Sequence, residues 1–284
     1  MSNKKIKIVK KNLIKKNNLG FMQGRLVSSE KKNRIQYFPE KNWKKEILIA
    51  KKNKFKIMEW TANIENLKKN PIYLEKQIKD LKNFLLENNM QVSSLTCDFL
   101  MQKPFFKNNK NKFVLDILRK IIKNSQTLGI KYFIVPLVDQ SSIQNKRQED
   151  KIRIAMKKFE KKLYKNSKIL FEIDYSPKKS VQFIKSFNSS KFGINLDTGD
   201  GAGYGYNYEN KSYLKYVKNI HLKDKKYKGK SIRLGRGDFD FKKFLKIIKK
   251  IKYKGNLILQ PARAKNNRNV YELNLNRKYI YKLL

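Results

Sequence analysis

Short apolar runs alternate along the chain with amphipathic stretches, and this alternation predicts an α/β protein. Eight runs read as buried strands: Gly20–Gln23, Ile57–Trp60, Val92–Thr96, Tyr132–Val135, Ile169–Glu172, Phe192–Asp197, Ile220–Lys223 and Leu257–Gln260. A short, nearly continuous apolar run is what a strand covered on both faces requires. Between the runs, Leu74, Ile78, Leu81 and Leu85 share one face of a helix predicted over 73–88. Leu115, Leu118, Ile122 and Leu128 do the same over 113–128, and Phe244, Leu245, Ile248 and Ile251 over 241–251. Strands that alternate with helices pair in parallel through right-handed crossovers, and eight such units close into a barrel. The expected fold is therefore a (β/α)8 TIM barrel with outer helices, one domain over 19–284. It follows a basic leader, 1–18, that is expected to be disordered or to carry a frayed strand around 6–9.

Four runs in the second half end in a side chain able to bind a metal: Glu172, Asp197, His221 and Gln260. In a closed parallel barrel the strand C-termini meet at one mouth, and the spacings of 25, 24 and 39 residues each allow one crossover per step. His221 is the sole histidine of the chain. Two carboxylates, an imidazole and an amide oxygen form a mixed O/N set suited to manganese, magnesium, cobalt or zinc. For a single strand-end carboxylate the plainer reading is a cap or an ion pair, and for His221 it is a satisfied core histidine.

The formal net charge of +45 would ordinarily suggest nucleic acid. Lysine outnumbers arginine 58 to 10, however, and the lysines are spread over every helical segment. Together with the abundance of Asn and Ile, this reads as a coding bias with solvated helix faces rather than a nucleic-acid footprint. An anionic substrate remains compatible with the excess. Cys97 is the single cysteine, so no intramolecular disulfide is expected. No stretch approaches the ~20 apolar residues of a membrane span, and the leader lacks a secretory apolar core, so a soluble cytoplasmic protein is expected. A homo-oligomer is neither implied nor excluded.

A series of motifs in fixed order carries a family resemblance. They are Gly20-Phe21-Met22-Gln23-Gly24-Arg25-Leu26, Gln36-Tyr37-Phe38-Pro39, Met58-Glu59-Trp60, Phe171-Glu172-Ile173-Asp174, Leu196-Asp197-Thr198-Gly199-Asp200, Asn219-Ile220-His221-Leu222-Lys223-Asp224 and Leu234-Gly235-Arg236-Gly237. Together they resemble the sugar phosphate isomerase/epimerase branch of the xylose isomerase-like TIM barrels, over nearly the whole chain from Leu19 to about Arg263. The resemblance implies that Glu172, Asp197 and His221 occupy the first three of four metal positions. The fourth, a second glutamate in the family, is Gln260 here. A glutamine can offer a carbonyl oxygen but cannot take up a proton near neutral pH, so the two-base mechanism of ketose epimerisation is put in doubt.

The implied activity is that of a metal-dependent sugar or sugar-phosphate isomerase or epimerase, removing a proton beside a carbonyl via an enediolate, with Glu172 as the base. A dehydratase using the same metal site is an alternative that also needs only one strong base. A barrel that binds sugar without turning it over is another. A nuclease of the DNA-repair class sharing this barrel would need a histidine-rich multinuclear cluster, which a single histidine does not supply. Glu59 is a second acid/base, a ligand for a substrate hydroxyl, or a structural carboxylate beside Trp60. Substrate positioning is expected from Arg25, Asp98, Lys223 and Arg263, with Arg233 and Arg236 flanking a glycine turn that could take a phosphate together with a helix N-terminus. Asp238 reads as the N-cap of the following helix, Gly199–Gly203 as a flexible active-site loop, and Tyr204, Tyr206 and Tyr208 as its packing or as cover for a sugar face.

Overall fold

The computed structural model describes residues 18–29, 36–264 and 266–284. Eight parallel strands close into a barrel: β1 (Leu19–Met22), β2 (Ile57–Thr61), β3 (Gln91–Thr96), β4 (Tyr132–Leu137), β5 (Lys168–Ile173), β6 (Phe192–Asp197), β7 (Val217–Leu222) and β8 (Asn256–Leu259). Each strand pairs with its neighbour in sequence, and β8 closes the ring against β1 through Leu19↔Leu257 and Phe21↔Leu259. The TIM barrel expected from the apolar pattern is thus the observed fold. The frayed strand expected around 6–9 lies outside the described residues.

Helices form where the 3.6-residue period and the caps agree. Asn145 accepts the Gln148 amide at the start of Lys146–Lys157, Ser176 precedes Pro177 at the start of Pro177–Lys185, and Asp240 accepts the Lys243 amide ahead of Phe241–Lys250. Phe241–Lys250 buries Phe241, Phe244, Leu245 and Ile248 at helical spacing. Phe113–Ser125 buries Val114, Ile117, Leu118, Ile121 and Ile122, a stripe rotated from the one expected because these five give a wider apolar face than Leu115 and Leu128 can. The expected helix over 73–88 is a 3-10 turn, Glu75–Gln77, followed by an α-helix, Ile78–Glu87. The helix Asn269–Leu283 had no strong apolar signature, because two of its four buried positions are Asn269 and Asn276.

Alternation along the strands decides which side chains reach the site. On β5, Phe171 packs outward against Phe183, Phe187 and Phe192, with ring centroids 5.1 to 6.1 Å apart, while its neighbour Glu172 lines the cavity at the barrel mouth. Met22, Ile57 and Ile258 form a small apolar cluster of their own, apart from the main core.

Two loop expectations are corrected. Gly199–Gly203 lies in a helix, Thr198–Tyr204, capped by Asp197, whose Oδ1 accepts the Gly199 amide at 2.7 Å. The glycines serve close packing: a Cβ on Gly201 would stand 2.7 Å from the Tyr208 ring and 2.8 Å from that of Phe239. Asp238 caps no helix; it accepts the Tyr227 amide and pairs with Lys226, and Asp240 takes the cap instead.

Candidate metal centre and sugar cavity

Glu172, Asp197 and His221, on three consecutive strands, each present a ligand atom within 4.8 Å of the other two, and all three are buried. Strand register produces the meeting: Asp197 and His221 are direct partners across β6 and β7, and β5 lies on the other side of β6. Gln260 lies just past the end of β8, where its amide donates to the Leu222 carbonyl. Its side chain lines the same cavity as Glu172 and Asp197.

Beneath the triad runs a network of polar side chains that the strand-end reading did not anticipate. Glu59 is fully buried and accepts four hydrogen bonds: from His221 Nε2 (2.6 Å), Thr96 Oγ1 (2.6 Å), Ser94 Oγ (2.7 Å) and Asn219 Nδ2 (2.9 Å). Asn219 Nδ2 also donates to Asn195 Oδ1 (2.7 Å), and Asn195 Nδ2 lies 3.0 Å from both Glu172 Oε2 and His221 Nδ1. The available signal was a period of two, since Asn195 precedes Asp197 by two residues and Asn219 precedes His221 by two.

The electrostatics follow from this burial. Burial alone would raise the Glu59 carboxyl, but His221, Thr96 and Ser94 hold it below the usual range. Burial alone would lower the His221 imidazole, yet Glu59 and Glu172, one at each ring nitrogen, raise it well above its ordinary value. Asp197 is held low against its burial by Lys223, whose Nζ is 3.2 Å from Oδ2, and by His221. Burial beside Asp197 pushes Asp200 well up.

The cavity above the triad is about 280 Å³ and is lined mainly by polar and charged side chains, with Met101, Pro136 and Val138 as its apolar part. Gln260 Nε2 donates to Gln36 Oε1 (2.7 Å), Gln36 Nε2 to Asp98 Oδ1 (3.2 Å), and Asn63 Nδ2 to Asp98 Oδ2 (3.3 Å). Burial and the nearby Glu172 push the Asp98 carboxyl up to about 8. Tyr204 also lines the cavity, whereas Tyr206 donates to the Asp174 carbonyl and Tyr208 stacks on Tyr213 in the interior. The residues suit a divalent ion on one direct observation: Gln260, which lines this cavity, has a buried Oε1 without a hydrogen-bond partner. Glu172, Asp197 and His221 offer two carboxylates and an imidazole, a mixed O/N set whose formal charge matches a divalent cation.

The structure separates the cations named from the sequence. Lys223 lines the cavity with Asp98. Arg25 is buried and donates Nε to the Pro261 carbonyl (3.1 Å); burial and Arg263 bring it down to about 9. Beside it Glu46, pushed up to about 7 by burial, accepts the Gly24 and Leu26 amides. Arg233, Arg236 and Arg263 line a different pocket. The glycine turn expected to cradle phosphate has its amides committed, because Gly235 and Gly237 both donate to Asp224 Oδ2 (2.8 and 2.9 Å). Gly237 is required there, since a Cβ would come within 2.1 Å of Asp224 Oδ1.

A closed (β/α)8 barrel with a Glu, Asp and His triad at its C-terminal mouth defines a class. The profile of the xylose isomerase-like TIM barrels matches residues 47–278, and the chain belongs to that family. Similar solved structures include D-allulose 3-epimerase from Methylomonas sp. in complex with D-allulose, 15% identical over 94% of this chain and 97% of that one, TM-score 0.67. A xylose isomerase-like barrel protein from Mycobacterium smegmatis in complex with magnesium is 14% identical over 93% and 95%, TM-score 0.67. The IOLI protein with a bound zinc atom is 16% identical over 94% and 99%, TM-score 0.69. At these identities the likeness is one of fold. No curated protein matches the chain by sequence. Among the described residues no helix is long and apolar enough to cross a membrane.

Proposed function

We propose that this barrel is a divalent-metal-dependent sugar isomerase or epimerase that works by removing a proton from a carbon next to a carbonyl. The observation that carries the reading is the convergence of Glu172, Asp197 and His221 under a polar cavity of a size to take a small polyol. A cation held by Glu172, Asp197, His221 Nδ1 and Gln260 Oε1 would supply Lewis-acid polarisation of the sugar carbonyl.

The remaining chemistry belongs to the chain's own groups. Glu172 is the base, the ionisable carboxylate of the triad whose Oε2 is oriented by Asn195. Glu59 is a positioning residue: its four donors use up its acceptor capacity, and it fixes the imidazole with a proton on Nε2, leaving Nδ1 directed at the triad. Asp98, its carboxyl raised by burial and by the neighbouring Glu172, donates a hydrogen bond to a sugar oxygen in its protonated form, and Lys223 balances charge beside Asp197. With glutamine at position 260, the second glutamate base that the family resemblance implies is absent. That favours shuttling one proton between adjacent carbons, or loss of a β-hydroxyl, over two-base inversion.

The test is to incubate the manganese-loaded protein with ketoses, aldoses and their phosphates in heavy water. Deuterium at a carbon adjacent to the carbonyl, lost in Glu172→Gln, is the expected result. Interconversion without label would replace proton abstraction with hydride shift. Failure to bind any divalent ion would leave a sugar-binding barrel without catalysis.

A further inference from the structure

The arginines of this chain are distributed differently from its lysines. Lysine is spread over the surface, whereas four of the ten arginines, Arg233, Arg236, Arg263 and Arg268, line one pocket of about 450 Å³. Glu272 is the acidic residue lining it, and its carboxylate is engaged by Arg233 in a two-pronged ion pair, Nε to Oε2 at 2.9 Å and a terminal nitrogen to Oε1 at 2.7 Å. Three guanidinium groups therefore face one pocket in excess of its carboxylates. Crowding like charges is unfavourable, and in a chain so rich in lysine the use of arginine at these positions points to the planar fork that matches phosphate oxygens.

The local backbone supports the same ligand. The 15-residue helix Asn269–Leu283 begins at this pocket, its N-cap residue Arg268 makes no side-chain capping bond, and Glu272, the acidic side chain of its first turn, is occupied by Arg233. Arg268 lies over the Tyr271 ring at 4.3 Å, which keeps its side chain at the helix start, and Arg236 is exposed. The pocket shares no lining residue with the sugar cavity: the exit of β8 gives Gln260 to one and Ala262, Arg263 and Ala264 to the other.

We propose that this arginine pocket is a second binding site, separate from the sugar cavity, for the phosphate or diphosphate group of a small soluble molecule. Arg236 and Arg268 grip the oxygens from the open side, and Arg263, which also donates to the Gly24 carbonyl, forms the wall.

The test is calorimetric titration of the full chain with inorganic pyrophosphate and inorganic phosphate. Chelator excludes any contribution from the metal centre, and salt near 0.3 M screens diffuse charge. One pyrophosphate per chain is expected. The double variant R236K/R268K, which preserves net charge, is expected to weaken binding at least about tenfold, because lysine cannot form the bidentate contact. Removing two charges elsewhere on the exposed surface, in K161Q/K162Q, is expected to leave it unchanged. Absence of binding, several equivalent ions per chain, or equal affinity in R236K/R268K would each overturn the site and leave only a diffuse cationic surface. Because no sugar turnover enters the readout, these outcomes are independent of the proposed catalysis.

Discussion

Replacing Glu59 by glutamine tests the metal centre most directly. The carboxylate is fully buried and accepts from His221, Thr96, Ser94 and Asn219. An amide that keeps its oxygen toward His221 and Thr96 turns its NH2 toward Ser94 and Asn219. The serine hydroxyl can rotate and accept, but Asn219 Nδ2 is a donor, so one donor–donor contact is left in the interior, at a cost of roughly 1–3 kcal/mol of stability. The larger effect is on His221. In the metal-free protein its two nitrogens face Glu59 and Glu172, which raise its pKa well above the ordinary value, so a metal must displace a proton from Nδ1. Affinity for manganese should then climb about tenfold per pH unit below that pKa, with close to one proton released on binding at pH 7. In Glu59→Gln the raising influence of one carboxylate is gone, so fewer protons are released. Loss of the group that orients the ring should weaken binding about 10- to 100-fold at alkaline pH, where proton competition has ended. Calorimetry in buffers of different ionisation enthalpy reads both quantities. A wild-type affinity that is flat from pH 6 to 8 without proton release, or a Glu59→Gln protein with unchanged affinity, would refute the assignment of Nδ1 to the metal and of Glu59 to the ring.

Other consequences can be checked in parallel. Gln260→Glu adds a carboxylate to the cavity that Glu172 and Asp197 line, and calorimetry should show manganese bound about tenfold more tightly. Asp98, with its carboxyl raised to about 8 in the fold, favours folding in its protonated form; that contribution is complete below its unfolded value near 4 and is lost as the pH rises towards 8. Urea unfolding of metal-free Asp98→Asn should therefore show a gain over wild type, on the order of 5 kcal/mol at most, that appears between pH 5 and pH 8.5. Phe187 is fully buried with its ring centroid 4.3 Å from that of Phe192 and 5.1 Å from that of Phe171, so Phe187→Ala should cost about 3–5 kcal/mol in denaturant unfolding. Metal affinity of the folded variant should stay within about twofold, because Phe171 and Glu172 face opposite sides of β5.

The barrel was legible in the chain because it rests on local patterns: eight apolar runs and the amphipathic stretches between them. The positions of Glu172, Asp197 and His221 were legible for the same reason, since strand ends in a parallel barrel share one mouth. Loops were less so. Glycine between 199 and 203 has the same one-letter signature whether it bends freely or, as here, lets Tyr208 and Phe239 press against a helix.

What the sequence determined by itself was periodicity: which residues alternate inward and outward, and in what order the strands follow. Only the tertiary structure decided which inward residues touch, because closure and stagger of the ring set those distances. Glu59 and His221 lie 162 positions apart and meet at 2.6 Å, and no local pattern reports such a contact. The same closure sorted the cations, burying Arg25 against Pro261, leaving Lys223 beside Asp197, and gathering Arg233, Arg236, Arg263 and Arg268 around a pocket of their own.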